Sequence, residues 1–287
     1  MRVPFRLLDV FTEVPFAGNQ LCVVPETPDG LGHDAMLTLT REIGFSETTF
    51  VTAVREGGYD VRIFTPEKEL PFAGHPTLGT AFVLTNEGRV PSSCVQTTAA
   101  GDVAVEIDVE RGWGRMHQLP PVFGRSVEDR ATVARGAGLD PDDLVADLPI
   151  VPVSTGIPHL MVPVRDEATL RRAERHDEMC RLACETADDS ESLYLFTIRS
   201  DGDVMARMFD RWPSIGEDPA TGSAAGPLGA YLAEFGAAGM PGHVTIAQGE
   251  LIGRPSFLHV DVERAWPSWT AYVGGGVRIV GEGVFEI

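Results

Sequence analysis

Between Asp102 and Val109 the chain alternates polar or small with apolar: Val103, Val105, Ile107 and Val109 against Asp102, Ala104, Glu106 and Asp108. A period of two marks a strand with one buried face. Similar alternation recurs at 60–64, 203–209, 243–247, 257–262 and 277–285, with Gly and Pro between the runs. That punctuation predicts barrels of short antiparallel strands. Two segments break the pattern. Residues 76–87 and 222–235 are apolar almost all round, and Gly88 and Gly236 stand as their C-terminal stops. A helix apolar on every face has to be buried. One buried helix per half is therefore predicted, each wrapped by strands, with Pro227 loosening or kinking the second. Amphipathic outer helices are expected near 33–43 and 167–185, and another near 127–138 in the connector.

The halves also echo each other. Gly-His-Pro-Thr-Leu-Gly-Thr-Ala around His75 answers Glu-Asp-Pro-Ala-Thr-Gly-Ser-Ala around Asp218, 143 residues on. Thr12-Glu13-Val14-Pro15 answers Thr155-Gly156-Ile157-Pro158 at the same spacing, and Ser46-Glu47 answers Ser190-Glu191 at 144. Three echoes in nearly one frame indicate two similar lobes. The expected architecture is α+β, with two pseudo-symmetric lobes at 1–118 and 119–277. A final strand near 278–287 is expected to return to the first lobe. A site in the cleft between lobes would set His75 and Asp218 face to face.

The chemistry gathers at the starts of the two buried helices. A helix start carries about four unpaired N–H groups and roughly half a positive charge, which suits a carboxylate. Gly222 and Ser223, with Gly79 and Thr80 at the corresponding place, are small enough to admit a ligand. The competing account is plain N-capping by Thr221, Ser223 or Thr77. Glu47, in Gly44-Phe45-Ser46-Glu47-Thr48-Thr49-Phe50, is either a partly desolvated acid–base group between two phenylalanines or a solvated strand-entry residue. His176, Cys180 and Cys184 share one helical face, but buried cysteine packs as a small hydrophobe. Core packing is expected there, and no metal.

Charge narrows the partners. With 23 basic and 42 acidic residues the net charge is −19, so nucleic acid and anionic membranes are expected to be repelled. Lys68 is the only lysine, in an acidic stretch that reads as an exposed turn, and the Walker phosphate loop is absent. Pyridoxal chemistry and nucleotide hydrolysis are disfavoured. Four cysteines without a Cys-x-x-Cys pair, no leader-like segment and no membrane-length apolar run lead to the expectation of a reduced, cytoplasmic setting.

These residues resemble the phenazine-biosynthesis PhzF-like family, which shares its fold with diaminopimelate epimerase. The matching stretches are Asp9-Val10-Phe11-Thr12 through Gly18-Asn19, Gly44-Phe45-Ser46-Glu47-Thr48 and Pro71-Phe72-Ala73-Gly74-His75-Pro76. Ser154-Thr155-Gly156, Glu217 through Ala224, Gln248-Gly249, Gly253 through Ser256 and Val273-Gly274-Gly275 follow in order. The resemblance implies a homodimer without a cofactor. It makes Glu47 the main acid–base residue, with His75, Asp218 and Ser223 positioning substrate or proton. Amides near 74–80 and 221–224, with Ser46, Gly74, Gly79, Thr80, Thr221 and Gly222, would line the substrate carboxylate. Diaminopimelate epimerase uses a thiol at each helix start; no cysteine lies near either place here, which disfavours thiol-based epimerisation.

The expected activity is that of a cofactor-independent isomerase moving a proton on a small carboxylated, cyclic substrate, similar to dihydro-3-hydroxyanthranilate isomerase. Two alternatives remain: an epimerase or dehydratase on the same fold, and a non-catalytic binding or scaffold protein. Loops 13–20 and 211–216 are expected to meet the variable part of the substrate, although Trp212-Pro213 also reads as a packed turn.

Overall fold

In the computed structural model, which describes residues 1–287, the chain forms two compact units. One comprises Met1–His117 and Gly274–Ile287, the other Gln118–Val273. The first contains β1 (Arg2–Val10), β2 (Asn19–Val24), α1 (His33–Ile43), β3 (Glu47–Arg55), β4 (Gly58–Phe64), β5 (Glu69–Leu70), α2 (Gly74–Asn86), β6 (Ser93–Thr98), β7 (Gly101–Asp108) and β8 (Trp113–His117). The second contains β9 (Val122–Phe123), α3 (Arg130–Gly136), β10 (Val151–Ser154), β11 (Pro158–Pro163), α4 (Glu167–Arg172), α5 (Asp177–Thr186), β12 (Ser192–Ile198), β13 (Val204–Asp210), β14 (Glu217–Asp218), α6 (Gly222–Glu234), β15 (Gly242–Gln248) and β16 (Ser256–Ala265). The boundary near Gly274 falls inside the last strand, β17 (Ser268–Glu286).

In the first unit eight strands close a ring. β1 pairs with β2 and β17, β2 runs parallel to β3, and β3 is antiparallel to β4. β4 runs parallel to β6, then β6, β7 and β8 follow antiparallel, and β8 returns to β17. Helix α2 packs against six of these strands. Its residues from Gly74 to Leu84 are all buried, as the all-round apolarity demands. The second unit repeats the order: β10 antiparallel to β11, β11 parallel to β12, β12 antiparallel to β13, β13 parallel to β15, β15 antiparallel to β16. Here α6 is the buried helix, enclosed from Gly222 to Ala233.

Both buried helices are 13 residues long and end before a left-handed glycine, Gly88 or Gly236. The first starts two residues earlier than the apolar run suggests. Pro76 then falls in its first turn, where a missing N–H leaves no bond unmade. Pro227 is the sixth residue of α6, and the helix runs on through it to Glu234; only the bond to the Ser223 carbonyl is forgone.

The outer helices also depart from expectation. The run 167–185 is two helices, because the chain turns extended at Ala173 (ψ 137°). His176 then becomes the N-cap of α5, accepting from the Met179 amide, and does not share a helical face with the cysteines. Cys180 and Cys184 are fully buried in the apolar cluster with Val133, Leu170, Leu193 and Phe209. The helix expected at 127–138 is the shorter α3. No helix of the structure is long and apolar enough to cross a membrane.

The ladders define which residues of the two units correspond, and the result differs from the 143-residue frame. Phe64 pairs with Glu69 on β5, and Phe209 pairs with Glu217 on β14. Each glutamate takes a bidentate ion pair two residues before the phenylalanine: Arg62 to Glu69 at 2.8 and 2.6 Å, Arg207 to Glu217 at 2.9 and 2.7 Å. Each guanidinium also lies over its phenylalanine ring, at 5.1 and 4.7 Å. In this register Asp218 corresponds to Leu70, not to His75. His75 and Ser223, each the second residue of its buried helix, correspond to one another. Glu69, expected in an exposed turn beside Lys68, is strand and ion-paired.

Candidate active site

Glu47 opens β3, and its side chain retains 14% of its exposure. Its Oε2 lies 3.3 Å from Nε2 of His75, whose side chain is 5% exposed. Two elements meet there because α2 packs directly on β3. The contact is long for a hydrogen bond, as acid–base pairs without substrate commonly are. On the other edge of the ring, Nδ1 is 3.1 Å from Nδ2 of Asn19, and the Asn19 Oδ1 accepts the Ser46 hydroxyl at 3.2 Å. With the amide in that orientation Nδ1 accepts, so the neutral ring carries its hydrogen on Nε2, toward Glu47. Burial pushes the His75 pKa down to about 3, against a smaller upward pull from a hydrogen bond to the Gln20 backbone. At 3.3 Å the two atoms form no hydrogen bond in the structure, and burial keeps the imidazole neutral beside the carboxylate.

The loop before β2 is held by its own polar groups. Asp9 is 2% exposed and its Oδ2 accepts the Phe16 amide at 2.6 Å. Gly18 has φ 69°, and a Cβ there would stand 2.4 Å from the Val10 carbonyl, so only glycine fits. Gly79 and Thr80 lie within α2 rather than at its start. A Cβ on Gly79 would meet Leu21 at 2.4 Å, and the Thr80 hydroxyl is 2.8 Å from that of Thr49. Their small size serves helix–strand packing, and neither belongs to the first-turn amides.

In the second unit Asp218 sits on β14, four residues before α6, and is 6% exposed. Thr221 is the N-cap of α6, but its hydroxyl donates to Asp218 Oδ2 at 2.6 Å and caps nothing. Gln248 completes the corner, donating to the Asp218 carbonyl at 2.8 Å and to Thr221 Oγ1 at 3.0 Å. Tyr194 donates to Gln248 Oε1 at 2.9 Å. The first unit has the same trio: Tyr59 to Gln96 at 2.9 Å, and Gln96 to Thr77 Oγ1 at 2.6 Å. Plain N-capping is therefore not what these threonines do; Thr77 donates to the Ala73 carbonyl at 2.8 Å.

Ser223, in the first turn of α6, is 8% exposed and lies 3.0 Å from Nε2 of His159. Nδ1 of that ring lies 2.8 Å from Ser192 Oγ. Gly222 offers its carbonyl to Gln118 Nε2 at 2.7 Å, and Thr155 donates to Gln118 Oε1 at 2.8 Å. Sequence reasoning passed over His159, Ser192, Gln118 and both tyrosines. His159 lies on β11, a strand buried at every position after Pro158, and such a run carries no sequence signal that separates a site histidine from a core one. Residues 212–216 form a turn but not a packed one: the Trp212 amide donates to Asp210 Oδ1 at 2.7 Å and its carbonyl accepts from Ile215 and Gly216, while its side chain stays exposed. Arg211 lies 5.1 Å over its ring.

The model of a family described as phenazine biosynthesis-like protein matches residues 8–286. An uncharacterized isomerase of Pasteurella multocida is 32% identical over 97% of this chain and 92% of its own length. A trans-2,3-dihydro-3-hydroxyanthranilate isomerase of Pseudomonas chlororaphis is 33% identical over 90% of each chain. The crystal structure of a phenazine biosynthesis protein of the PhzF family from Bacillus anthracis superposes over 100% of both chains, with a TM-score of 0.88 at 26% identity.

Proposed function

The chain belongs to the phenazine biosynthesis-like protein family, and on that premise we propose that it is a cofactor-independent isomerase acting on a small, cyclic, carboxylated substrate. The observation that carries this reading is the 3.3 Å approach of His75 Nε2 to Glu47 Oε2, with the imidazole held neutral by burial. A carboxylate beside a fixed neutral donor is equipped to take a proton from carbon and give it back. Its relatives carry isomerase names, one of them for trans-2,3-dihydro-3-hydroxyanthranilate.

In the proposed reaction Glu47 removes a proton from a substrate carbon activated by conjugation. The electron pair moves into the adjoining unsaturation, and Glu47 returns the proton to a second carbon. No atom is gained or lost. His75 is placed to donate to the Glu47 carboxylate, and Asn19 with Ser46 keeps the ring in the donating form. Within the second unit, Ser223 and the first-turn amides at Gly222 suit a ligand carboxylate, and Asp218 suits a polar group such as an amine or hydroxyl.

The test is turnover of trans-2,3-dihydro-3-hydroxyanthranilate followed by absorbance and mass spectrometry. The proposal expects a product of unchanged mass from wild type, and loss of that product in Glu47→Gln without loss of folding. Equal turnover by Glu47→Gln would remove Glu47 from the reaction.

A further inference from the structure

His159 is buried, titratable and unused in the function proposed above. It lies on β11 at 2% exposure, between Ser192 on β12 and Ser223 on α6. The ladder register places Ser192 where the first unit has Glu47, and α6 places Ser223 where α2 has His75. The first unit thus joins its strand start to its helix start directly. The second inserts an imidazole from the neighbouring strand.

The order of donors along this chain follows from burial. Ser192 is fully enclosed, and the His159 ring is the one partner of its hydroxyl. A buried O–H left without an acceptor is costly, so the Ser192 proton goes to Nδ1. A neutral imidazole that accepts at Nδ1 carries its hydrogen on Nε2 and donates it to Ser223 Oγ. Burial favours the neutral ring, its pKa being pushed down to about 3. The Ser223 proton is then turned away from the ring, on the most exposed member of the three.

We propose that Ser192 and His159 are positioning residues that fix Ser223 as an outward hydrogen-bond donor, so that it selects an anionic acceptor such as a carboxylate on the ligand. The inference rests on Ser223 touching ligand, as proposed above, and supplies the reason it prefers an anion. The opposite tautomer would make Ser223 donate inward to Nε2, the arrangement of a base-activated nucleophile. The two tautomers therefore predict different chemistry from the same atoms.

The tautomer can be read without substrate. In full-length protein labelled with 15N-histidine, NMR at pH 7 should show His159, identified by its absence in His159→Gln, protonated at Nε2 and bare at Nδ1. Ser192→Ala should let both tautomers appear. A ring protonated at Nδ1, or a charged ring, would overturn the proposal whatever becomes of the isomerase reading. Calorimetry with 3-hydroxyanthranilate and its neutral carboxamide then tests selectivity. Wild type should prefer the carboxylate by about tenfold or more, as expected for a hydrogen bond to a charged group. His159→Phe should lose that preference, His159→Gln should recover part of it, and neither should alter it further in a Ser223→Ala background. Equal affinity for the two probes, or binding of neither, would overturn the anion-selecting role.

Discussion

His75 Nε2 lies 3.3 Å from Glu47 Oε2, while the residue at the matching position of the other buried helix, Ser223, reaches an imidazole borrowed from a strand. Both units bury a neutral histidine, one in the first turn of its helix and one on a strand beside it, and this has a measurable consequence for stability.

His75 and His159 each have a folded pKa near 3, below the unfolded value of 6.5. The unfolded chain takes up their protons first, so each removes stability as pH falls from about 6.5 toward 3. Asp210 has the opposite sign. Burial, the largest cause, raises its carboxyl from 3.8 to about 7, so the folded state holds a proton that the unfolded state gives up between those values. One proton uptake offsets one of the two histidines. The net expectation between pH 6 and 5 is the uptake of about one proton on unfolding, a loss on the order of 1 kcal/mol per pH unit from these three groups. Denaturant titrations at several pH values check it: Asp210→Asn should steepen the acid loss, and His159→Gln should flatten it.

The paired arginines give a second contrast. Arg207 and Glu217 are 10% and 14% exposed, and Arg207 also donates to the carbonyls of Leu170 and Ala173 at the end of α4. Arg62 and Glu69 form the same pair at 32% and 33% exposure. Removing one partner of a buried pair costs about 3–5 kcal/mol, whereas exposed pairs contribute about 0–1 kcal/mol. Arg207→Ala should therefore destabilise several-fold more than Arg62→Ala in thermal unfolding. On the role proposed for Asp218 it should also lower activity, because Glu217 anchors the strand that carries that residue.

Gly226→Ala reverses the usual sign of a helix substitution. Glycine to alanine within a helix normally stabilises by about 1 kcal/mol. Here a Cβ would stand 1.9 Å from Gln118 Oε1, displacing the amide that holds Gly222 and Thr155. The expected outcome is destabilisation by about 1–3 kcal/mol, from a buried amide left unsatisfied. Gln118→Ala in the same background should then cost little more.

Much of this architecture can be read in the chain. Alternation located the strands at 101–108 and 204–210, and all-round apolarity located α2 and α6 to within two residues. What the sequence could not supply was register. The likeness of Gly-His-Pro-Thr to Glu-Asp-Pro-Ala suggested that His75 and Asp218 match, yet strand pairing aligns Asp218 with Leu70, and position in the buried helices aligns His75 with Ser223. Local similarity records composition; correspondence in a sheet depends on which residues pair across strands. His159 escaped notice for the same reason, since its partners lie 33 and 64 residues away. The break at Ala173 escaped too, because periodicity continues across it.

The central claim is that Glu47 moves a proton between substrate carbons, and hydrogen exchange from solvent tests it most directly. Wild type and Glu47→Gln would be incubated in D2O with trans-2,3-dihydro-3-hydroxyanthranilate, with recovered substrate and product examined by mass spectrometry and NMR. General acid–base catalysis contributes about 10²–10⁴-fold. Deuterium should therefore enter carbon with wild type and fall by that factor in a folded Glu47→Gln variant. Carbon-bound deuterium appearing equally fast with Glu47→Gln would contradict the account.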